Sequence, residues 1–116
     1  MGILCYAGSA IAADHVSYFY NGSLTSGEYR DATTSGCTAM TNSTASWTTG
    51  AGAYGKVVLI SSGGSWLAAD ESTSGYASVS LSTYNANKAD CRNTTPWQVT
   101  VHFDCYATST DLSPCV

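Results

Sequence analysis

The stretch Trp97-Gln98-Val99-Thr100-Val101-His102-Phe103-Asp104-Cys105-Tyr106 decides the fold class. Along it Trp97, Val99, Val101, Phe103 and Cys105 alternate with Gln98, Thr100, His102, Asp104 and Tyr106. Side chains of an extended strand point in turn to opposite faces, so this two-residue period marks a strand with one buried and one wet face. Cys105 is therefore expected in the core, and His102, Asp104 and Tyr106 on the solvent side.

The same grammar recurs outward from this segment. Ala77, Val79 and Leu81 alternate with Ser78, Ser80 and Ser82, whereas Val57-Val58-Leu59-Ile60 runs without alternation, as in a central strand buried on both faces. Strands are predicted near 15–20, 27–30, 45–48, 54–61, 64–69, 76–82, 86–92 and 97–106. Gly, Asn, Ser and Pro clusters separate them. Asn21-Gly22 reads as a turn, and Ser62-Gly63-Gly64 as the turn of a hairpin. No segment carries apolar residues at helical spacing over ten positions. Seven or eight short strands in about 100 residues predict one all-β domain, a two-layer β-sandwich or Greek-key barrel.

Composition narrows the function. Charged residues make up 10% of the chain, against about a quarter in ordinary soluble proteins, so hydroxyls, small residues and aromatics must supply the surface. Eight Tyr and three Trp argue against a disordered Ser/Thr-rich stalk. Four Lys and Arg against eight Asp and Glu, with no basic cluster, exclude a surface that tracks nucleic-acid phosphates. No apolar run approaches the roughly 20 residues of a membrane-spanning helix.

Residues 1–12 read as the remnant of a signal peptide. Ala10-Ile11-Ala12 ahead of Ala13-Asp14 fits the small-x-small cleavage rule, so the mature secreted domain is expected to cover 13–116. The alternative is an apolar arm that donates a strand to a partner. Bulky Leu4 before Cys5 argues against a lipid anchor there. Cleavage would leave Cys37, Cys91, Cys105 and Cys115, an even number that reads as two disulfides in an exported chain. No pair has metal-ligand spacing, and no metal or other cofactor is expected. A hairpin across Asn93-Thr94-Thr95-Pro96 would set Cys91 opposite about Gln98 and carry Cys105 more than about 20 Å beyond it. Disulfides need Cα atoms within about 7 Å. On that register the expected bridges are Cys105–Cys115 and Cys37–Cys91, the second tying an irregular segment over 31–46 to the sheet.

In its Ser/Thr/Gly/Tyr-rich body and paired late cysteines, the chain resembles the small exported β-proteins of filamentous Gram-positive bacteria. Tyr20, Gly27 and Tyr29 also follow the spacing of a βγ-crystallin Greek key. Arg30 stands where that family places its first acidic or amide calcium ligand, in Arg30-Asp31-Ala32-Thr33-Thr34-Ser35, so no calcium is expected. The first resemblance implies an inhibitor, a toxin component or an adaptor.

Catalytic patterns are weak. His15 and His102 are the histidines, no G-x-S-x-G elbow presents a serine, and His102 with Asp104 shares one strand face without an evident nucleophile. Nothing sets two carboxylates across a cleft for glycoside hydrolysis. The chain is expected to be a secreted non-catalytic module that docks on another extracellular protein as adaptor, toxin-assembly subunit or inhibitor. Its alternative role is an antimicrobial or carbohydrate-binding protein at a cell surface. Tyr18, Tyr20, Tyr29, His102, Asp104 and Tyr106 form the candidate binding surface, since amphipathic rings anchor protein and sugar contacts. Docking is expected to use main-chain pairing at an open sheet edge. Three glycosylation sequons begin at Asn21, Asn42 and Asn93.

Overall fold

The computed structural model describes residues 10–34 and 37–113, which fold into eight antiparallel strands without a helix. These are β1 (Ala10–Thr25), β2 (Tyr29–Thr33), β3 (Thr38–Trp47), β4 (Gly55–Ser61), β5 (Trp66–Ser72), β6 (Tyr76–Ser80), β7 (Ala86–Asn93) and β8 (Thr100–Ser113). Their pairing is nested: β4 with β5, β3 with β6, β2 with β7, and β1 with β8. The chain thus doubles back on itself about the β4–β5 turn, where Ser61 N–H donates to Ser65 O and Gly64 takes a positive φ of 91°.

That double ribbon is then rolled. β8 also lies along β3, and β7 along β4, giving the layers β1-β8-β3-β6 and β2-β7-β4-β5. The bridge between Met40 and Ala86 makes the hydrogen-bonded sheet continuous from one layer into the other. This is the double-layer jelly roll, two Greek keys wrapped on one core. Leu24, Ala45, Trp47, Val101, Phe103 and Cys105 from the first layer meet Val57 and Cys91 from the second in the main cluster. A second cluster gathers Met40, Leu59, Ala86, Ala89 and Ala107.

The period-2 reading of the last strand holds from Val101 onward, where Val101, Phe103 and Cys105 are buried and His102 is exposed, but Trp97, read as part of the buried row, is 47% exposed. Val57 to Ile60 are all buried, as their unbroken apolar run predicts. Other expectations need correction. The ladder of β8 starts at Thr100, not Trp97. Residues 97–99 are held instead by Ser26, whose Oγ accepts from Val99 N–H at 3.0 Å and bonds the Trp97 carbonyl. Asn21-Gly22 is not a turn but lies inside β1. There Tyr20 folds back over Gly22, its Oη donating to Ser23 O at 2.6 Å, and a Cβ on Gly22 would come within 2.8 Å of the tyrosine Oη. The segment over 31–46 is not irregular, because most of it is β3.

Both expected bridges are overturned. Cys91 bonds Cys105, with Cα atoms 6.3 Å apart, so neither Cys37–Cys91 nor Cys105–Cys115 forms. The error lies in the hairpin: after Asn93 the chain crosses from one layer to the other, and β7 and β8 face each other through the core instead of sharing a ladder. Cys37 is itself disulfide-bonded. Cys5, Cys115 and the expected leader up to Ser9 lie outside the described residues, and Ala10 to Ala12 open β1.

Trp47 shows how tightly the main cluster is filled. Its indole stacks on Phe103 at 5.2 Å, and its Nε1 donates to Ala53 O at 3.0 Å, so the ring is fixed at both ends. Gly55 runs beneath it, where an added Cβ would approach the ring to 2.5 Å. Gly55→Ala is therefore expected to destabilise by about 1–3 kcal/mol through overpacking, seen as a lower urea midpoint at unchanged slope. An unchanged midpoint would show that the indole can shift.

Candidate binding surface

The outer face of the β1-β8-β3-β6 layer is built in cross-strand rows. Ser23 neighbours His102; Asn21, Asp104, Ser46 and Tyr76 form the next row; Tyr18, Tyr106, Thr44 and Ser78 follow; then Val16, Thr108, Asn42 and Ser80. Hydroxyls and amides fill it because each faces away from the core. Tyr18 and Tyr106 meet edge to face at 5.3 Å. His102 Nε2 lies 3.3 Å from Asp104 Oδ1, which also accepts from Asn21 Nδ2. His15 Nε2 lies 3.0 Å from Asp111 Oδ2.

Four of the six candidate residues, Tyr18, His102, Asp104 and Tyr106, thus share one face. A bulge removes Tyr20 from it. The register shifts between Tyr18 and Tyr20, so Tyr18 pairs with outward Tyr106 while Tyr20 pairs with inward Cys105. The extra residue, Phe19, packs on both clusters, and the Tyr20 ring lies against the main cluster beneath the Arg30 guanidinium at 4.9 Å. Tyr29 belongs to the other layer. The fold engages the amide of every sequon: Asn93 is fully buried with Nδ2 donating to Leu24 O and Val99 O, Asn42 Nδ2 donates to Ser78, Val79 and Ser80, and Asn21 Nδ2 donates to Asp104.

The opposite layer carries an arrangement the sequence reading missed. On its outer face Arg92 lies between two aromatic rings, with Cζ 4.5 Å from the Tyr29 centroid and 4.8 Å from that of Trp66. Lys56 Nζ lies 5.0 Å from the Trp66 centroid. Beneath them Asp90 is fully buried, and its carboxylate accepts from Arg92 Nε and Nη2. Burial raises the Asp90 carboxyl above its ordinary value, against the opposing hydrogen bond and charge of Arg92. The readable signal was Lys88, Asp90 and Arg92 alternating with Ala89, Cys91 and Asn93, a charged outer row on a strand with a small-residue core row. Near the β1–β2 turn, Glu28 is held below its ordinary value by the Thr25 N–H that donates to Oε1 at 2.7 Å.

Among the described residues no three His, Cys, Asp or Glu side chains converge to hold a metal, and no hydroxyl bonds the His102 ring. No protein-family model matches the chain, and no curated protein matches it in sequence. Among solved structures, one similar chain belongs to work described as "Bacillus endospore appendages form a novel family of disulfide-linked pili". It is 14% identical, with 97% of this chain and 100% of that one covered, at a TM-score of 0.37. So weak a likeness says nothing of function.

Proposed function

We propose that this chain is a non-catalytic extracellular binding module that docks on another protein by strand addition along the free edge of β1, serving as an adaptor, an assembly subunit or an inhibitor. One observation carries this reading. β1 pairs with β8 along one side from Ala10 to Thr25, and on its other side it pairs with no strand among the described residues. Unpaired N–H and C=O groups along such an edge are a template for a further strand.

Proteins that must stay alone blunt their edges with lysine, proline or short strands. β1 has sixteen residues and contains no Lys, Arg or Pro. Between its bulges it offers two regular stretches, Asp14–Tyr18 and Tyr20–Thr25. Beside the first, Val16 is 65% exposed and Tyr18 72% exposed, a costly display without a partner. The other edges are poorer templates. β2 and β6 are five residues each, and β5 carries Asp70 and Glu71, the former tied to β6 through Ser78 N–H at 3.2 Å. The disulfide buried between the layers suits an oxidising compartment.

The test is capture from culture supernatant by the tagged protein. Val16→Lys with Tyr18→Lys is expected to weaken partner capture at least about tenfold while leaving circular dichroism unchanged and lowering Tm only by the small cost of the lost Tyr18–Tyr106 contact, because charge is added at an exposed edge. Wild-type capture should change less than about twofold between 0.05 and 0.5 M salt, roughly, since main-chain pairing carries little net charge. Elution of the protein alone as a monomer, or a steep loss with salt, overturns the reading.

A further inference from the structure

The outer face of the β2-β7-β4-β5 layer lies away from the β1 edge, and its chemistry is different. We infer that Tyr29, Arg92, Trp66 and Lys56 form a binding site for a neutral glycan chain, the sugar rings stacking on the two aromatic side chains.

Three features of the site point to that ligand. Tyr29 and Trp66 are each 50% exposed, yet each is braced by the same guanidinium, and Arg92 is in turn fixed by its paired hydrogen bonds to buried Asp90. Rings held in this way offer apolar faces without the ordering cost of free side chains, and the C–H face of a pyranose is a natural complement to such a ring.

Hydrogen-bonding capacity is left over beside the rings. Arg92 Nη1 and Lys56 Nζ have no acceptor among the described residues, and both are placed to donate to sugar hydroxyls. Glu71, the cross-strand neighbour of Lys56, has one oxygen occupied by Thr94 Oγ1 at 2.6 Å and can accept with the other.

Charge decides between a neutral and an acidic glycan. Each cation on this face has a carboxylate beside it: Arg92 bonds Asp90, Lys88 Nζ lies 3.9 Å from Asp31, and Lys56 stands opposite Glu71. A face so balanced sets up no field that would gather a polyanion from a chain of net charge −4. The exposed rings therefore dominate recognition.

Isothermal titration with cello-oligosaccharide and chito-oligosaccharide, beside pull-down on insoluble cellulose and chitin, tests the site. Binding to at least one neutral probe is expected, with a Kd that changes less than about twofold on adding salt. Trp66→Ala and, separately, Tyr29→Ala should each weaken it by about tenfold, a loss of one stacking platform. Tyr29 opens the five-residue strand β2, so its variant keeps the test valid should Trp66→Ala unfold. Tyr76→Ala, on the opposite face, should bind as wild type. No binding to either neutral probe overturns the inference. So do unchanged affinity in both ring variants and tighter, salt-sensitive binding to oligogalacturonate. Because the edge variant Val16→Lys with Tyr18→Lys leaves these residues untouched, it should bind the glycan normally, which separates failure of this site from failure of edge docking.

Discussion

Replacing Cys91 and Cys105 together by alanine should destabilise the fold by about 3 kcal/mol, the loop-closure value for a cross-link enclosing about 15 residues. The bridge joins positions fourteen apart in sequence, and both cysteines are fully buried between the layers. It acts where the ladder cannot: β7 and β8 belong to different layers, so no backbone hydrogen bonds tie them directly along their length. Both sulfurs also lie in the main cluster with Phe103 and Val57, and truncation to alanine adds a cavity cost to the lost constraint. For a chain of this size the fall in Tm should exceed about 10 °C. Calorimetry of the double variant and non-reducing peptide mapping of the wild type check it together. A fall below about 3 °C, or a peptide joining Cys37 to Cys91, would sink the prediction.

Arg92→Met is expected to cost about 3 kcal/mol at neutral pH, because it strands a carboxylate in the sheet. Asp90 has no exposure at all, whereas the Arg92 side chain keeps 22% and reaches solvent between its two rings. In the wild type, burial raises the Asp90 carboxyl and Arg92 opposes the rise. Without Arg92 the folded-state value climbs further, and the native state then binds a proton more tightly than the unfolded chain does. Stability of the variant must increase as pH falls through that raised value toward the ordinary aspartate range. The deficit relative to wild type should thus be largest near pH 7 and shrink toward about pH 4. Urea unfolding of both proteins across this range measures it, and adding Asp90→Asn should restore most of the loss at pH 7. A deficit independent of pH would show that lost ring packing, not the stranded charge, is the cause.

The fold was legible where apolar residues declare a period. Phe103 with Val101 and Cys105, the Val57–Ile60 run and the Ser62–Gly64 turn are each found as read, whereas Trp97 at the start of the same alternation is exposed. What stayed hidden was built from small and hydroxyl residues. β3 reads Thr-Ala-Met-Thr-Asn-Ser-Thr-Ala-Ser-Trp, of which only the end near 45–48 is legible as strand, yet it is central, and Ser43 satisfies its buried hydroxyl by donating to Asp90 O at 3.0 Å. The tail of β8 was hidden in the same way, since Ala107 to Ser113 resemble a loop until β1 and β3 flank them. Layer assignment was also beyond the sequence. Nothing in Asn93 to Val99 says whether the chain turns back along its own sheet or crosses to the facing one, and the disulfide pairing depended on that choice. For the candidate surface, alternation correctly grouped His102, Asp104 and Tyr106, but the bulge at Phe19 reversed the face of Tyr20. The Tyr29–Arg92–Trp66 stack joins three strands distant in sequence, so no local pattern could announce it.

The nested pairing has a kinetic side. Each successive ribbon closes a longer loop, from the turn between Ser61 and Trp66 out to Ala10 against Ser113. Loop-closure entropy grows with that separation, and chains dominated by distant contacts fold in milliseconds to seconds, not microseconds. The hairpin of β4 and β5 is therefore the natural nucleus, with closure proceeding outward and β1 joining last. A strand that arrives last is also the first to leave, so hydrogen exchange should be fastest along β1 and slowest in β4 and β7, with β1 opening in excursions that spare the rest of the core.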